Sequence, residues 1–476
     1  IIVMRRIKMK KHNLFKVVMI TIAVTVLLTW LLPETYYNNQ GLVEAEREQV
    51  GIFTLMSYVG IAIQYFSHIG IYVLSVGGLY GVLHNISGYR NLIDKVTKGF
   101  KGREWLFMSI VMVIFAICSS MAGMSLPLIF MFPFVISVIL AMGYDKITAA
   151  LVTVGSVSVG LIGSVFSAND TYGIDIVLGT AANKDVWLKI IVLVVCLALL
   201  IFNTLRYASK NKVNEVKALT TAGYIPEPKD KNEKYWPVVV IMDLVFIILI
   251  LAFISWSLFN ITWFDKLFKN ITTYKIGGFA IFGKILGLSN AFGSWTLNEA
   301  SIIIIIASLL LSFIYGIKFD QYVKGFMDGG KRALKAAVLA ILVYVVLVIV
   351  TYVPVMLTIF KPILELTKSL NVFTMSLVSF ISSTFFVELY YAATNVLPYA
   401  TGVLYTTLNT SEITIISVIF QSMYGLATLI APTSVILLVT LSYLHIPYGK
   451  WLKSNWKLIV ELLVLLLAIF LILTLI

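Results

Sequence analysis

The sequence predicts an all-α polytopic membrane protein, on the basis of its composition, its hydropathy and the length of its uncharged runs. Of the 476 residues, 60% are hydrophobic and 12% are charged, whereas soluble proteins average about 45–50% apolar and about 25% charged residues. The mean hydropathy is +0.96, and several uncharged runs exceed the ~18 residues that mark a membrane-spanning helix. A soluble enzyme, a nucleic-acid-binding protein and a disordered chain are therefore excluded.

The distribution of charge predicts the orientation of the chain in the membrane. The net charge is +13, and the basic residues cluster between apolar runs, around residues 5–16, 90–103, 210–234, 318–335 and 450–457. Such clusters are typical of cytoplasmic loops, where Lys and Arg are retained. The acidic segment 35–48 is expected outside. Because Lys, Ile and Asn are abundant, we predict a multi-pass protein of a bacterial plasma membrane with a cytoplasmic N-terminus.

The first membrane half is predicted at residues 14–207, after a basic N-terminus at 1–13. The run 15–32 has no small-residue cleavage site, so it is interpreted as an uncleaved helix and not as a signal peptide. Residues 105–144 carry no charge. They are long enough for two crossings, or for one crossing and a re-entrant hairpin. At least one span, with or without an interfacial lead-in, is expected at 52–83, and a further span is expected at 186–205.

A polar, lysine-rich segment at 208–235 is predicted to be a cytoplasmic linker that leads into a second membrane half at 236–476. Residues 263–293 mix apolar side chains with lysines, which favours a helix lying in the membrane interface. Spans of the second half are expected at 236–258, 301–317, 336–360 and 458–476, and the run 413–448 is interrupted at Pro432. The whole chain should contain about ten to twelve membrane elements by the ~20-residue criterion.

The two halves contain a weak internal repeat. Asp145–Thr148 opens a run rich in Ser and Gly that ends at Ser167–Thr171, and Ser411–Thr414 opens a similar run that ends at Ala431–Ser434. Interrupted segments at corresponding places in two halves indicate the binding site of a transporter. The helix ends at such breaks can bind an anionic group through free N–H groups. The alternative is that each polar cluster is a loop at the membrane surface.

Glu388 is the only charged residue between residues 368 and 412. A carboxylate at the centre of a spanning helix costs about 2.5–3.5 kcal/mol on insertion scales, so it usually has a partner or a function. It could bind a cationic group or relay a proton; alternatively it lies at a hairpin tip exposed to water. Asp170 is similar, although its neighbours Asn169 and Asp175 favour a solvated position.

Features of soluble catalysts are missing from the sequence. No phosphate-binding loop, zinc-protease signature or pair of catalytic carboxylates occurs in an apolar run, and the four histidines lack metal-ligand spacing. Cys118 and Cys196 lie inside apolar runs and predict no disulfide framework. We therefore expect no catalytic residue, metal site or cofactor. Transport would be driven by exchange or by a gradient, with coupling to Na⁺ or H⁺ left open.

Several segments, in matching order along most of the chain, resemble YfcC-type carriers, which are relatives of the four-carbon dicarboxylate anaerobic carriers in the ion transporter superfamily. The segments are Leu28–Pro33, Gly77–Val82, Lys101–Glu104, Ala141–Asp145, Ile430–Ser434 and Ile446–Trp451. The resemblance implies a secondary carrier with two inverted halves, each with a re-entrant hairpin and a broken helix, working as a homodimer by an elevator motion. It places the hairpins near 125–133 and 382–398, and the broken helices at 167–171 and 432–434.

The hairpin-tip motifs depart from those of this family. The family's Thr-Asn-Pro-Phe-Thr is replaced by Ser167-Ala168-Asn169-Asp170-Thr171, its Ser-Gly-Ser-Gly-Gln-Ala tip is replaced between Glu388 and Asn395, and its Gly-Asp-Gly segment reads Met423-Tyr424-Gly425. Acidic residues at these places would repel a dicarboxylate. The family also includes exchangers of basic amino acids, which fits the change.

The sequence therefore predicts a secondary active transporter or exchanger of a small amino acid, such as arginine or ornithine, or of a carboxylate. Asp170 and Glu388 would engage an amino group or a proton. The predicted binding residues are Ser167, Asn169, Asp170, Thr171, Ser382, Ser383, Thr384, Glu388, Asn395, Pro432, Thr433 and Ser434. The expected partners are the lipid bilayer, a small solute and a second copy of the chain. The alternatives are a dicarboxylate or short-chain carboxylate symporter, a membrane-embedded enzyme, and a degenerate carrier that serves as a scaffold or sensor.

Overall fold

The computed structural model describes residues 13–38, 41–45, 48–180, 185–213, 230, 232–287, 289–367, 370–401 and 409–475. Within these ranges, eight helices are long and apolar enough to cross a membrane, and four shorter apolar helices accompany them. The total of twelve agrees with the expected ten to twelve membrane elements. The predicted all-α polytopic fold is confirmed.

The first half begins with a helix and a small β-hairpin. Helix α1 (Asn13–Leu31) is followed by the antiparallel strands β1 (Glu34–Asn38) and β2 (Gly41–Ala45), in which Glu34 is paired with Ala45. The helices that follow are α2 (Ile52–Leu83), α3 (Ser87–Gly99), α4 (Glu104–Ala122), α5 (Phe132–Ala141), α6 (Lys146–Ala150), α7 (Ser156–Ile162), α8 (Ala168–Leu178) and α9 (Val186–Lys210). A 3-10 turn at Pro127–Met131 leads into α5, and a π turn at Leu151–Gly155 joins α6 to α7.

The second half contains the remaining helices. They are α10 (Trp236–Phe253), α11 (Trp263–Thr273), α12 (Ile281–Leu286), α13 (Leu297–Ile314), α14 (Phe319–Leu342), α15 (Tyr344–Tyr352), α16 (Met356–Leu364), α17 (Val372–Phe385), α18 (Leu389–Tyr399), α19 (Thr410–Thr428), α20 (Val435–Leu444) and α21 (Tyr448–Leu473). A 3-10 turn at Trp256–Phe259 follows α10. Helix α11 has 11 residues and buries none of them, so it is too short to span a membrane and fits the expected interfacial segment.

The same order of elements occurs in both halves. A long helix (α2; α14 with α15) is followed by a short helix (α3; α16), a helical hairpin (α4 with α5; α17 with α18), an interrupted helix (α6 to α8; α19 with α20) and a closing helix (α9; α21). Asp145 caps the first interrupted helix through the Thr148 N–H at 2.9 Å, and Asn409 caps the second through the Glu412 N–H at 2.9 Å. These corresponding helix starts explain the internal repeat in the sequence.

Helices α2 and α14 pack antiparallel and in close contact. A Cβ atom on Gly81 would lie 2.1 Å from the carbonyl oxygen of Gly325, and one on Gly77 would lie 2.5 Å from Cβ of Ala333. Further back along α2, a Cβ on Gly70 would meet Ile341. Because residue numbers rise along one helix as they fall along the other, equivalent helices of the two halves run in opposite directions.

The start of α14 differs from the prediction. Residues 318–335 were expected to lie in a basic loop before a span at 336–360, but α14 begins at Phe319 and continues through the basic stretch. Gly325 and Gly329 of α14 lie against α2, where a side chain would collide with the opposing helix. The glycines therefore permit close helix packing and do not mark a loop, as small residues commonly do between membrane helices.

Candidate functional site

A cavity of about 230 Å³ lies where both helical hairpins and the second interrupted helix meet. The tip of the first hairpin contributes Gly123, Ser125 and Pro127, and the tip of the second contributes Val387 and Glu388. The remaining lining residues include Leu161, Phe253, Leu297, Tyr344, Tyr390, Tyr424, Thr428 and Ser434. The fold therefore brings the tips of both predicted hairpins to one cavity.

Three helical segments begin at this cavity. Pro127 opens the second arm of the first hairpin, Leu389 is the first residue of α18, and Val435 is the first residue of α20. All three residues line the cavity. Ser434 caps α20: its hydroxyl donates to the Thr428 carbonyl at 2.7 Å and accepts from the Leu437 N–H at 3.4 Å. The partial positive charge at helix N-termini stabilises an anionic group.

Glu388 supplies the acidic side chain of the cavity. Its carboxylate oxygen Oε1 accepts a hydrogen bond of 2.7 Å from the Tyr344 hydroxyl. Tyr344 lies at the start of α15 and its ring stacks on Phe66, with the ring centroids 3.9 Å apart. Of the lining residues that the structure describes, none is Lys, Arg or His. The cavity thus combines one carboxylate and tyrosine rings, groups that can attract a cation, with the starts of helical segments, which can attract an anion.

The backbone of the second tip is strained. Val387 has φ +62°, and a β-branched residue in this left-handed region is a genuine outlier. The residue is buried, between the end of α17 and the start of α18. Strain of this kind persists where the surrounding structure holds the backbone in place, and it is concentrated at ligand-binding and switch regions.

Ser167 and Thr171 of the first break do not line the cavity. The side chains of Ser167 and Thr171 are buried, and the Thr171 hydroxyl donates to Asp175 at 3.0 Å. Asn169 and Asp170 belong to α8, but their side chains fall outside the part of the chain that is described, so their roles stay predictions. Helix α8 packs on α18, where the ring of Tyr172 stacks on Tyr390.

The two interrupted helices nevertheless contact each other at the first break. The carbonyl oxygen of Ile162, which ends α7, accepts a hydrogen bond of 3.0 Å from the Ser422 hydroxyl in α19. A second bond of 2.8 Å joins the hydroxyls of Thr428 and Ser158. Protein side chains therefore satisfy a backbone group that a helix break exposes, as is required of irregular backbone at membrane depth.

The predicted residues of the second half lie in three places. Glu388 and Ser434 line the cavity. The hydroxyls of Ser382 and Ser383 donate to the Ser379 carbonyl, and that of Thr384 donates to the Phe380 carbonyl, within α17. Thr433 donates to the Thr384 carbonyl at 2.6 Å and so joins the break after Pro432 to α17. Asn395 lines a different cavity, on the other side of the second hairpin.

Sequence reasoning did not single out three polar residues of the cavity. Ser125 lies two residues before Pro127 at the first tip, and its position next to a helix-starting proline is a signal that could have identified it. Thr428 is the last residue of α19 before the break. Tyr344 lies in a continuous apolar run, and nothing in the local sequence indicates its bond to Glu388.

Comparison with known proteins identifies the family. The sequence profile of the C4-dicarboxylate anaerobic carriers (DcuC) matches residues 12–476. The chain belongs to the C4-dicarboxylate anaerobic carrier family. Its membership confirms the resemblance found in the sequence and makes the protein a membrane transporter and not an enzyme. No curated protein matches the chain.

Two solved transporter structures are similar to this family member along most of its length. The YdaH transporter of Alcanivorax borkumensis has 13% sequence identity and a TM-score of 0.43, over 96% of this chain and 98% of that chain. MtrF of Neisseria gonorrhoeae, described as illuminating a class of antimetabolite efflux pumps, has 10% identity and a TM-score of 0.41, over 96% of this chain and 94% of that chain.

Proposed function

We propose that this carrier is a secondary active transporter that exchanges a small amino acid, including basic ones such as arginine and ornithine, across the bacterial plasma membrane. The observation that carries the proposal is the composition of the central cavity. One carboxylate, Glu388, lies beside three tyrosines, and the cavity edge is formed by helix N-termini with no cationic side chain among the described lining residues. A solute with both an ammonium and a carboxylate group fits this distribution of charge.

In this proposal the ammonium group binds at Glu388, and the ring faces of Tyr390 and Tyr424 add a cation–π contribution, typically about 0.5–2 kcal/mol. The carboxylate binds at the start of α20, where Ser434 and Ile436 line the cavity, and at the first tip near Ser125. Hydrogen bonds between backbone N–H groups and a carboxylate are charge-assisted and stronger than neutral ones. The cavity volume of about 230 Å³ suits a solute of this size.

Transport of a dicarboxylate is the second candidate, and family membership favours it. The helix N-termini could bind both carboxylates of such a solute. One of them would lie beside Glu388, so a dicarboxylate would need Glu388 or the solute to be protonated. Dicarboxylate transport by this chain should therefore be coupled to protons, whereas amino-acid exchange needs no net proton movement; coupling to Na⁺ fits either solute.

The arrangement of the two halves supports a transport cycle of the elevator type. The hairpins and interrupted helices form one group around the cavity, and Tyr344 belongs to the long antiparallel pair formed by α2 with α14 and α15. Movement of the first group along the second would carry the solute across the membrane. We propose a homodimer with a cytoplasmic N-terminus. The open cavity between the tips favours a working carrier over a degenerate scaffold or sensor.

The test is solute exchange in proteoliposomes that contain the purified protein. Unlabelled solute is loaded inside, and labelled arginine, ornithine, neutral amino acids or dicarboxylates are offered outside. We expect saturable exchange of a basic amino acid, and we expect Glu388→Gln to abolish it. Asp243→Asn is the matched control, since Asp243 is an exposed carboxylate on α10 away from the cavity.

Dicarboxylate uptake that depends on pH would replace the amino-acid proposal with the second candidate. Full activity of Glu388→Gln would remove Glu388 from the binding site. Failure to exchange any solute of the panel would support a scaffold or sensor.

A further inference from the structure

A second cavity, of about 310 Å³, lies on the opposite side of the second hairpin. It is bounded by β1, by the loop that follows α15 and by the face of α18 that carries Thr394 and Asn395. Phe386, at the tip of the hairpin, forms its inner wall. The next two residues, Val387 and Glu388, line the central cavity. A single turn of the chain therefore separates the two cavities.

The β-hairpin forms a fixed wall of this second cavity. The backbone N–H of Thr35 donates to the Pro354 carbonyl at 2.9 Å, and the hydroxyls of Thr35 and Thr358 are 2.8 Å apart. Lys361 and Glu44 form an ion pair of 3.4 Å. The hairpin is thus attached to the loop between α15 and α16 through Pro354 and to α16 itself through Thr358 and Lys361. It carries the acidic segment that the charge distribution places outside the membrane.

The described lining of the second cavity is uncharged and combines apolar side chains with Thr, Tyr and Asn residues. Tyr36 is 41% exposed, and Thr394 and Asn395 are half-buried. The Asn395 amide nitrogen donates to the Tyr391 carbonyl at 2.8 Å, which fixes the side chain. The amide oxygen then has no hydrogen-bond partner among the described residues, and it can accept from an ammonium group. Weak, neutral hydrogen-bonding groups suit brief binding of a zwitterion better than tight binding.

We propose that this cavity, lined by Tyr36, Thr394 and Asn395, is an outer vestibule that binds the transported solute before the tip Phe386–Glu388 admits it to the central cavity. The proposal rests on the proposed function, because the solute is the same. The strained Val387 lies between the two cavities, at the place where a change of backbone conformation would join them.

The experiment is solute protection of an engineered cysteine. Asn395→Cys and, as a second probe, Thr394→Cys are reacted with a membrane-impermeant maleimide in proteoliposomes, with and without the solute that the wild type exchanges. Cys118 and Cys196 are buried, so background labelling should be low. At about ten times its Kd, the solute should slow labelling about tenfold, because it occupies most of the sites. Tyr274→Cys, exposed on the segment after α11, is the control and should be unaffected.

A kinetic measurement distinguishes the vestibule from the central site. Asn395→Ala should raise KM about fivefold and leave kcat unchanged, as expected for loss of one hydrogen bond worth about 1 kcal/mol. Unchanged labelling of both cysteine probes at saturating solute, with normal wild-type exchange, would overturn the vestibule and leave the proposed function intact. A wild-type protein that exchanges nothing would overturn both.

Discussion

The hydroxyl of Tyr344 donates a hydrogen bond of 2.7 Å to Oε1 of Glu388, and this bond joins α15 to the tip of the second hairpin. Tyr344 is 1% exposed and is held by stacking on Phe66. The tyrosine therefore presents its hydroxyl from a fixed position. Because both residues line the central cavity, the bond sets the orientation of the carboxylate toward the solute.

Tyr344→Phe should weaken solute binding while leaving the protein folded. The phenyl ring can keep its stacking on Phe66, but the carboxylate loses a hydrogen bond worth about 1.5–3 kcal/mol. We expect KM for exchange to rise about tenfold to hundredfold, which is the corresponding change in an equilibrium constant. The measurement is initial exchange rate against solute concentration in proteoliposomes.

Tyr390→Phe is the matched control for this variant. Tyr390 also lines the cavity, but it is 37% exposed and its ring packs against the rings of Tyr172 and Tyr391. Loss of its hydroxyl should change KM by less than about threefold, since a cation–π contribution depends on the ring. Equal effects of the two substitutions would contradict a specific role of the Tyr344 hydroxyl.

The strained backbone at Val387 predicts that the protein is more stable with glycine than with alanine at this position. Both substitutions remove the same buried contacts to within one methyl group, but the left-handed backbone at φ +62° costs alanine about 1–2 kcal/mol and costs glycine little. Val387→Gly should therefore be more stable than Val387→Ala by up to about 1 kcal/mol, after the greater chain entropy of glycine is subtracted. Thermal unfolding in detergent measures the difference.

The same pair of substitutions at Val396 provides the comparison. Val396 is fully buried in the middle of α18, where glycine is less stable than alanine by about 0.5–1 kcal/mol. The order should therefore reverse between the two positions. The same order at both would show that the backbone at Val387 is not strained.

Much of the architecture could be predicted because membrane helices have a strong local signal. Uncharged runs located the spans, Pro432 located the second break, and the repeat beginning at Asp145 located the corresponding helix in the first half. The β-hairpin was not predicted. Its short strands, with Tyr36 and Tyr37 on β1, depend on attachment to the segment around Pro354, which is distant in sequence.

The composition of the site was harder to predict than its location. Glu388 was identified because a charge in an apolar run is costly, and Ser434 because it follows a proline break. Ser382 and Ser383 were expected to bind solute, but hydroxyls in a helix readily donate to the carbonyl one turn earlier, as both do here. Tyr344 is 44 residues from Glu388, and only the folded chain brings them together.

The contact between α2 and α14 predicts a large effect of a single methyl group. Gly81→Ala would place a Cβ atom 2.1 Å from the Gly325 carbonyl oxygen and 2.7 Å from backbone atoms of Gly329. The helices must then separate, which should cost about 3 kcal/mol, the upper end of the range that is typical of overpacking. A fall in the thermal unfolding temperature in detergent is the expected result.

Gly330→Ala is the control, because the new Cβ on α14 would have no atom within 4 Å. Alanine is favoured over glycine in a helix by about 1 kcal/mol, so this variant should be as stable as the wild type or more stable. Destabilisation by both substitutions would mean that the glycines act through helix flexibility and not through the close contact.

The acidic β-hairpin should become more stable as the pH falls below neutral. Burial, and then repulsion by Glu48, raise the pKa of Glu34 above its ordinary value of 4.5. The folded hairpin therefore holds a proton on Glu34 more tightly than the unfolded chain does. By linkage, stability decreases as the pH rises through the raised pKa, and the stabilisation is fully present only below the unfolded pKa.

Glu34→Gln should remove this pH dependence and slow the opening of the hairpin at pH 7. The Glu48 N–H, which donates to Glu34 Oε1 at 3.2 Å, can still donate to the amide oxygen. Hydrogen exchange of the paired backbone at Tyr36 and Val43, corrected for the intrinsic rate at each pH, measures the opening. Glu44→Gln is the control: it removes an exposed partner of Lys361 and should leave the slope with pH unchanged, since exposed ion pairs contribute about 0–1 kcal/mol. If Glu34→Gln kept the wild-type slope, another group would have to carry the titration.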